Sequence, residues 1–394
     1  MADETLAAFR RELRSWLEQH VPDDLRPEHA TKLAESDRVR RLRAWQKTLA
    51  QSRWVGITWP REYGGRDAGI LEQIAHVEEM ARASAPETIG NLGIGIVGPP
   101  IMAYGTEDQK RHFLPRILAC DDLWCCGFSE PGAGSDLASL RTEAVVHDDH
   151  FVVTGQKVWT TLAHHADWCM VLCRTDPGTK RAKGISCLLV DMKSPGIEVR
   201  PLRQITGEAE FNEVFFEGVR VPRENLLGTL HEGWQIAISA LQNERGILYV
   251  VGMQIALAEA RDKLIAFARE RGAGKNPIWR QQLADIHLRT EAFRFTCQRT
   301  LDRLLRAGFP GPESAIIKAT WTEVVQDMPR LGMEILGPYG LLYDTPDARG
   351  EAGGDPTQGF QKGYLTARAA SIASGTSEIM KSIVAMQVLG LPRG

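Results

Sequence analysis

Several features are missing from this chain, and each absence closes off a class of function. No apolar run approaches the roughly 18 residues that a membrane-crossing helix requires. The start, Met1-Ala-Asp-Glu-Thr-Leu6, has neither the basic nor the apolar region of a secretory signal, so a cytoplasmic protein is expected. A basic excess is also lacking: 47 Lys and Arg stand against 50 Asp and Glu, for a net charge of −3, which gives phosphate backbones no electrostatic hold. The basic cluster from Arg38 to Arg43 reads as a solvated helix face. The seven cysteines, at 120, 125, 126, 169, 173, 187 and 297, are odd in number and show no paired metal-type spacing, so reduced and mostly buried thiols are expected. The ten histidines do not cluster with acidic residues along the sequence, and no metal is expected.

What is present describes a globular protein. With 394 residues, 43% hydrophobic and 25% charged, the chain is long enough for two or three domains around a substantial core. Residues 1–121 read as a helical domain, because apolar positions recur at threes and fours, as in Leu6, Phe9, Leu13, Trp16 and Leu17. Thr106 is a plausible N-cap for a helix running to about Leu118. From 122 to 229 the period shortens, and Val-, Thr-, Trp- and Phe-rich segments at 141–147, 150–160, 168–174, 185–191, 197–200, 210–216 and 218–221 predict a compact antiparallel β domain. His147 to His150 looks like a hairpin connection, and 175–183 an exposed loop. From 230 to 394 the helical period returns, with helices expected at 231–270, 278–308, 312–336 and 360–390, the third kinked or divided at Pro329. Arg349 to Pro356 reads as a flexible insertion.

Three separated segments carry chemistry. Glu130-Pro-Gly-Ala-Gly-Ser135 places two glycines and a hydroxyl in a turn that can aim backbone N–H groups at an anion, although the same hexapeptide also reads as a plain β-turn. Trp159 on a predicted strand is either a core aromatic or a platform for a planar ring, and of Thr160 and Thr161 one hydroxyl can face the same side as the indole. The third segment is Ser374-Gly-Thr-Ser-Glu-Ile379.

Together, Phe128-Ser-Glu-Pro-Gly-Ala-Gly-Ser-Asp136, Gly155-Gln-Lys-Val-Trp-Thr-Thr161 and Gly375-Thr-Ser-Glu-Ile379 resemble the acyl-CoA dehydrogenase family, and the likeness runs along the whole chain. The resemblance implies an α+β fold with an N-terminal helical domain, a middle antiparallel β domain and a C-terminal four-helix bundle. It also implies bound FAD, α,β-dehydrogenation of an acyl-CoA thioester, an electron-transfer flavoprotein as electron acceptor, and a homo-oligomer, dimer or tetramer, with a heteromer also open. By position, Cys126, Phe128, Ser129, Gly134 and Ser135 resemble the loop that holds the flavin and pyrophosphate, with Ser135 also near the CoA arm. Trp159 and Thr161 resemble the aromatic platform and the flavin-bonding hydroxyl; Arg271, Gln281, Glu334 and Gly337 resemble cross-subunit contacts; Thr376 and Glu378 would complete the site. Arg271 can equally close a helix C-terminus and Glu334 can be a solvated face residue. Pro338 stands where the family often has a second glycine.

The base is where the pattern departs. Many members carry a glutamate directly before the Gly-Thr of the last motif, but this chain has Ser374, and a serine with no activating partner is no base at neutral pH. The helix expected from 231 offers Glu244 instead, sharing a face with Ala237, Leu241, Leu248, Val251 and Ile255. Desolvation on such a face raises a carboxylate pKa toward neutrality, although a structural ion pair with an arginine would explain the same residue. Asn243-Glu244-Arg245 matches the place where isovaleryl-CoA and long-chain acyl-CoA dehydrogenases carry their glutamate, which implies a branched, cyclic or bulky acyl group. Leu241, Gln242, Arg245, Ser374 and Gly375 are the further expected substrate contacts, and Leu92, Ile94 and Ile96 are either acyl-pocket lining or plain core. Two other readings stay open: a flavin monooxygenase or oxidase on the same scaffold, and a non-catalytic subunit of a heteromeric dehydrogenase.

Overall fold

The computed structural model describes residues 2–26, 29, 33–179, 181–244, 247–307, 311–342 and 359–392. Two compact units emerge: Met1–Gln204 with Glu208–Gly246, and Ile247–Gly394 with the short piece Ile205–Gly207.

In the first unit, α1 (Ala2–His20) buries Phe9, Leu13 and Leu17, the three-four stripe of its sequence, and packs on α3 (Ile70–Arg82). Helix α2 (Glu35–Gln51) contributes Trp45 and Leu49 to the same core. After α4 (Gly98–Tyr104) comes α5 (Glu107–Ala119), started by a reciprocal cap: Gln109 N donates to Thr106 Oγ1 at 3.2 Å and Thr106 N donates to Gln109 Oε1 at 3.0 Å.

An eight-stranded, mostly antiparallel sheet follows. Its strands are β1 (Trp124–Gly127), β2 (Glu143–Val146), β3 (His150–Thr161), β4 (Trp168–Arg174), β5 (Ile185–Asp191), β6 (Ile197–Leu202), β7 (Phe211–Pro222) and β8 (Leu226–Leu227). Their order is β6-β7-β3-β2-β4-β5-β8, with β1 pairing parallel to β4. The strands expected at 210–216 and 218–221 are one continuous β7. Gly218, at φ +64°, absorbs an extra residue where the register against β3 shifts between Val153 and Gly155. Strands β4 and β5 are buried on both faces, which is why Cys169, Cys173 and Cys187 read as core positions. Helix α6 (Gly233–Glu244) lays Ile236, Ala237 and Ala240 against β5, α4 and a π-helical turn at Gly93–Val97.

In the second unit, α7 (Ile247–Glu270), α8 (Pro277–Ala307) and α9 (Ser314–Leu336) pack on one another around Leu264, Phe267, Phe293, Cys297 and Leu331. The fourth rod of the bundle is segmented into α10 (Phe360–Thr366), a 3-10 turn at Ala367–Ser371, α11 (Ser377–Ile383) and a π-helical turn at Val384–Val388. The helix expected over 231–270 is described as α6 and α7, with 245 and 246 outside the described residues. Two expectations need correction here. Pro329 does not divide α9, which runs through it with the ring buried. The helix expected over 360–390 is broken, because Ser374 and Gly375 both take left-handed backbone, at φ +54° and +93°, before Thr376 caps α11. The insertion at 349–356 lies outside the described residues. Among those described, no helix is long and apolar enough to cross a membrane.

Candidate active site

The first half of the site is organised by an interior ion pair that the sequence motifs did not single out. Lys157 faces the buried side of β3 and is fully enclosed; its Nζ donates to Glu130 Oε1 at 2.8 Å and to Phe128 O at 3.1 Å. Glu130 also accepts from Thr142 N at 2.8 Å and Arg141 N at 2.7 Å. Burial alone would raise the Glu130 pKa, but the Lys157 ammonium and these donors together hold it below the ordinary carboxylate value. Around that anchor, Glu130 and Ala133 exchange backbone hydrogen bonds at 3.0 Å, and Val158 N donates to Ser129 O at 2.9 Å. The loop 128–135 is thereby fixed to β3. Cys126 and Phe128 are half-buried beneath it, while Gly134 and Ser135 stand exposed above. A Cβ on Gly132 or Gly134 would meet nothing within 4 Å, so the backbone here is open to close approach by a ligand.

Two residues beyond Lys157 the strand bulges. Trp159 sits at φ +60°, a conformation that costs an aromatic residue of order 1 kcal/mol or more. It presents a 61% exposed indole, with the Phe211 ring edge-on at 6.0 Å. Thr160 turns into the interior and Thr161 is half-buried. Of the two threonines, Thr161 therefore shares the outward side with the indole. An exposed planar ring, a neighbouring hydroxyl and an open glycine loop fit a planar cofactor that carries phosphates.

Glu244 is the last residue described in α6, seven after Ala237 and four after Ala240, both fully buried. Its backbone position thus lies on the helix face that packs inward. Leu241 is partly buried against the same core; the side chains of Gln242 and Glu244, and the whole of Arg245, lie outside the described features. Ile94 of the π-helical turn is buried and Leu92 and Ile96 partly so, while Gly95 between them faces open space.

The second unit holds the remaining expected residues. Arg271, just past α7, lies 5.9 Å from the Tyr339 ring and 5.5 Å from the Phe267 ring, beside the turn that begins at Gly337. Gly337 takes φ +59°, ψ −131°, a region essentially reserved for glycine. Pro338 is the second residue of the 3-10 turn Gly337–Leu341, where a missing N–H costs nothing. Glu334 is exposed and pairs with Arg330 at 2.6 Å, and Gln281 is exposed on α8. Thr376 Oγ1 accepts from Ile379 N at 3.3 Å as the cap of α11. Glu378, in that first turn, has its carboxyl lowered by its own backbone N–H and by Thr376. Ser374 and Gly375 are half-buried at the break before it.

Distant in sequence, His164 and His165 meet Glu35 in space, with their ligand atoms all within 4.8 Å of one another.

Three domain descriptions cover the chain: acyl-CoA dehydrogenase N-terminal domain over residues 3–121, middle domain over 125–219 and C-terminal domain over 231–389. The fold and site thus define an acyl-CoA dehydrogenase scaffold. The chain belongs to the acyl-CoA dehydrogenase family, and it is an enzyme of that class, an oxidoreductase of flavoprotein character. It is 38% identical over 391 residues to acyl-CoA dehydrogenase IpdE1 of Mycobacterium tuberculosis, covering 98% of this chain and 97% of that one. Among solved structures it resembles the Tcur3481-Tcur3483 steroid ACAD, with a TM-score of 0.84 at 31% identity, covering 99% and 98% of the two chains. It also resembles the ChsE4-ChsE5 complex from Mycobacterium tuberculosis, with a TM-score of 0.80 at 30% identity and coverage of 99% and 98%.

Proposed function

We propose that the protein uses FAD to dehydrogenate a bulky, steroid-type acyl-CoA thioester across its α,β bond, giving the enoyl-CoA, with Glu244 as the base. The observation that carries the cofactor reading is Trp159, held exposed and strained on a bulge that Lys157 and Glu130 anchor. A flavin bound there would supply the acceptor for the hydride that leaves the substrate β-carbon. Trp159 and Thr161 orient it, and the open backbone at Gly132 and Gly134, with the Ser135 hydroxyl, receives phosphate. Cys126, Phe128 and Ser129 form the floor of that loop. Arg271, Gln281, Glu334, Gly337, Thr376 and Glu378 stand where the family resemblance assigns further cofactor contacts, the first four of them from a neighbouring subunit.

Glu244 takes the α-proton. Its backbone place on the inward face of α6, four residues after the buried Ala240, supports the role of base. Leu241 and Gln242 on the same helix, together with Arg245, hold the thioester and CoA arm. At the position where many relatives place the base, Ser374 and Gly375 leave a small side chain and none, which suits a wide substrate. Gly95, facing open space on the turn against α6, suits the same demand. The steroid ACAD among the structural relatives supports the ring-bearing substrate class, and the ChsE4-ChsE5 complex supports assembly with a second, related chain. The expected electron acceptor is an electron-transfer flavoprotein.

The test is an anaerobic visible spectrum of the purified protein, titrated with straight-chain, branched and steroid-type acyl-CoA thioesters. Bleaching of the oxidised flavin band by the steroid-type thioester, and not by short straight chains, is the expected result. A flavin that no thioester reduces would contradict the proposal.

A further inference from the structure

Outside the candidate active site, one cluster is built like a metal centre. His164 and His165 follow β3 in a turn closed by His165 N donating to Leu162 O at 2.9 Å. Glu35 opens α2, about 130 positions earlier in the chain. The Nε2 atoms of His164 and His165 lie 3.3 and 3.1 Å from the same Glu35 oxygen, Oε1. Two ligand bonds of about 2.1 Å meeting at a tetrahedral angle span an edge of about 3.4 Å. The separations therefore match an ion held between these atoms.

A second observation fixes what His164 offers. Its Nδ1 lies 2.9 Å from Oδ1 of Asn212, a fully buried side chain on β7. The Asn212 amide is oriented by its other end, where Nδ2 donates to Thr160 O at 2.9 Å and Glu210 O at 3.2 Å. With both donors of Asn212 spent, Oδ1 can only accept, so Nδ1 of His164 carries the hydrogen. In the neutral ring, Nε2 then presents a lone pair directly at a carboxylate oxygen. Two acceptors facing each other call for a cation between them or for a second proton on the ring. The outer hydrogen bond to Nδ1 is the device by which metal-binding histidines are commonly held. The frame is rigid as well: Arg43, further along α2, donates to His165 O at 3.0 Å and to Asp167 Oδ2 at 2.9 Å.

We propose that Glu35, His164 and His165 bind one zinc ion, with water completing the coordination, and that the ion staples α2 to the turn after β3. Imidazole and carboxylate ligands in a small tetrahedral edge suit zinc among the divalent metals.

The test uses the intact flavoprotein, stripped with chelator, dialysed against buffered zinc and examined by metal analysis and zinc-edge X-ray absorption. One equivalent of zinc is expected, with a nitrogen and oxygen shell. Glu35→Gln and His165→Asn, both on exposed or half-exposed positions, should each retain at least tenfold less zinc at the same free concentration while keeping their flavin. No zinc in the wild type would leave a protonated ion pair and overturn the proposal. A sulfur shell, or variants that hold zinc as the wild type does, would overturn it equally.

Discussion

Lys157 Nζ lies 2.8 Å from Glu130 Oε1, with the lysine side chain fully enclosed and the glutamate 8% exposed. The pair ties the glycine loop of the candidate site to the strand that carries Trp159. Removing one partner of a buried ion pair commonly costs about 3–5 kcal/mol, because the other charge is left without compensation. Glu130→Gln and Lys157→Met are therefore expected to lower thermal stability by that order and to shed flavin during gel filtration. Chemical denaturation and the ratio of flavin to protein absorbance check both effects; a variant with wild-type values of each would contradict the anchoring role.

Trp159 separates fold from function. Because the indole is 61% exposed, Trp159→Ala should change folding stability by less than about 1 kcal/mol. Flavin retention should nonetheless fall at least tenfold, with Trp159→Phe intermediate. Fluorescence titration of the stripped protein with FAD measures it, and equal affinities across the three proteins would remove the platform.

Acid sensitivity should come in part from His76. Its ring Nε2 donates to Trp54 O at 2.8 Å, and burial drives its pKa down from 6.5 to about 4. Above pH 6.5 the ring is neutral in both folded and unfolded chains and contributes its full share of stability. As pH falls from 6.5 toward 4 the unfolded chain takes up a proton that the folded one refuses, and up to roughly 3 kcal/mol is lost. Below about pH 4 this loss levels off. Urea midpoints across that window should fall for the wild type and flatten for His76→Gln, which keeps a donor for Trp54 O.

Gly337 is demanded by backbone and not by space, since a Cβ there would meet nothing within 4 Å yet the residue sits at φ +59°, ψ −131°. Gly337→Ala is expected to cost about 1–3 kcal/mol from conformational strain alone. Thermal unfolding of the variant measures the cost; an unchanged midpoint would mean that the turn relaxes freely.

Local signals were the readable part of this chain. The Thr106 cap, the hairpin at 147–150 and the β4 and β5 strands follow from short-range hydrogen bonding and side-chain period. Trp159 could be suspected as a stacking residue, but its left-handed backbone comes from a bulge against β7, a partner about fifty residues away. The role of Lys157 had a faint sign: it falls on the same strand face as Phe151 and Val153, where a lysine needs a counter-charge. Naming Glu130 as that charge requires the folded loop. Pro329 and the break at Ser374 show the opposite limit. A proline expected to kink or divide a helix does not divide it, and a helix that looked continuous is interrupted by two left-handed residues, because bundle packing decides both. The Glu35, His164 and His165 cluster joins segments about 130 residues apart, beyond any spacing rule.

In the proposed function, Glu244 on α6, and not a residue near Ser374, removes the substrate proton. Stopped-flow reduction of the flavin by a steroid-type acyl-CoA, without oxygen, compares wild type, Glu244→Gln and Ser374→Ala. General-base catalysis contributes about 10²- to 10⁴-fold, so Glu244→Gln should slow reduction by at least a hundredfold with flavin content intact, and Ser374→Ala by less than about tenfold. Glu244→Gln reducing at the wild-type rate would remove Glu244 as the base.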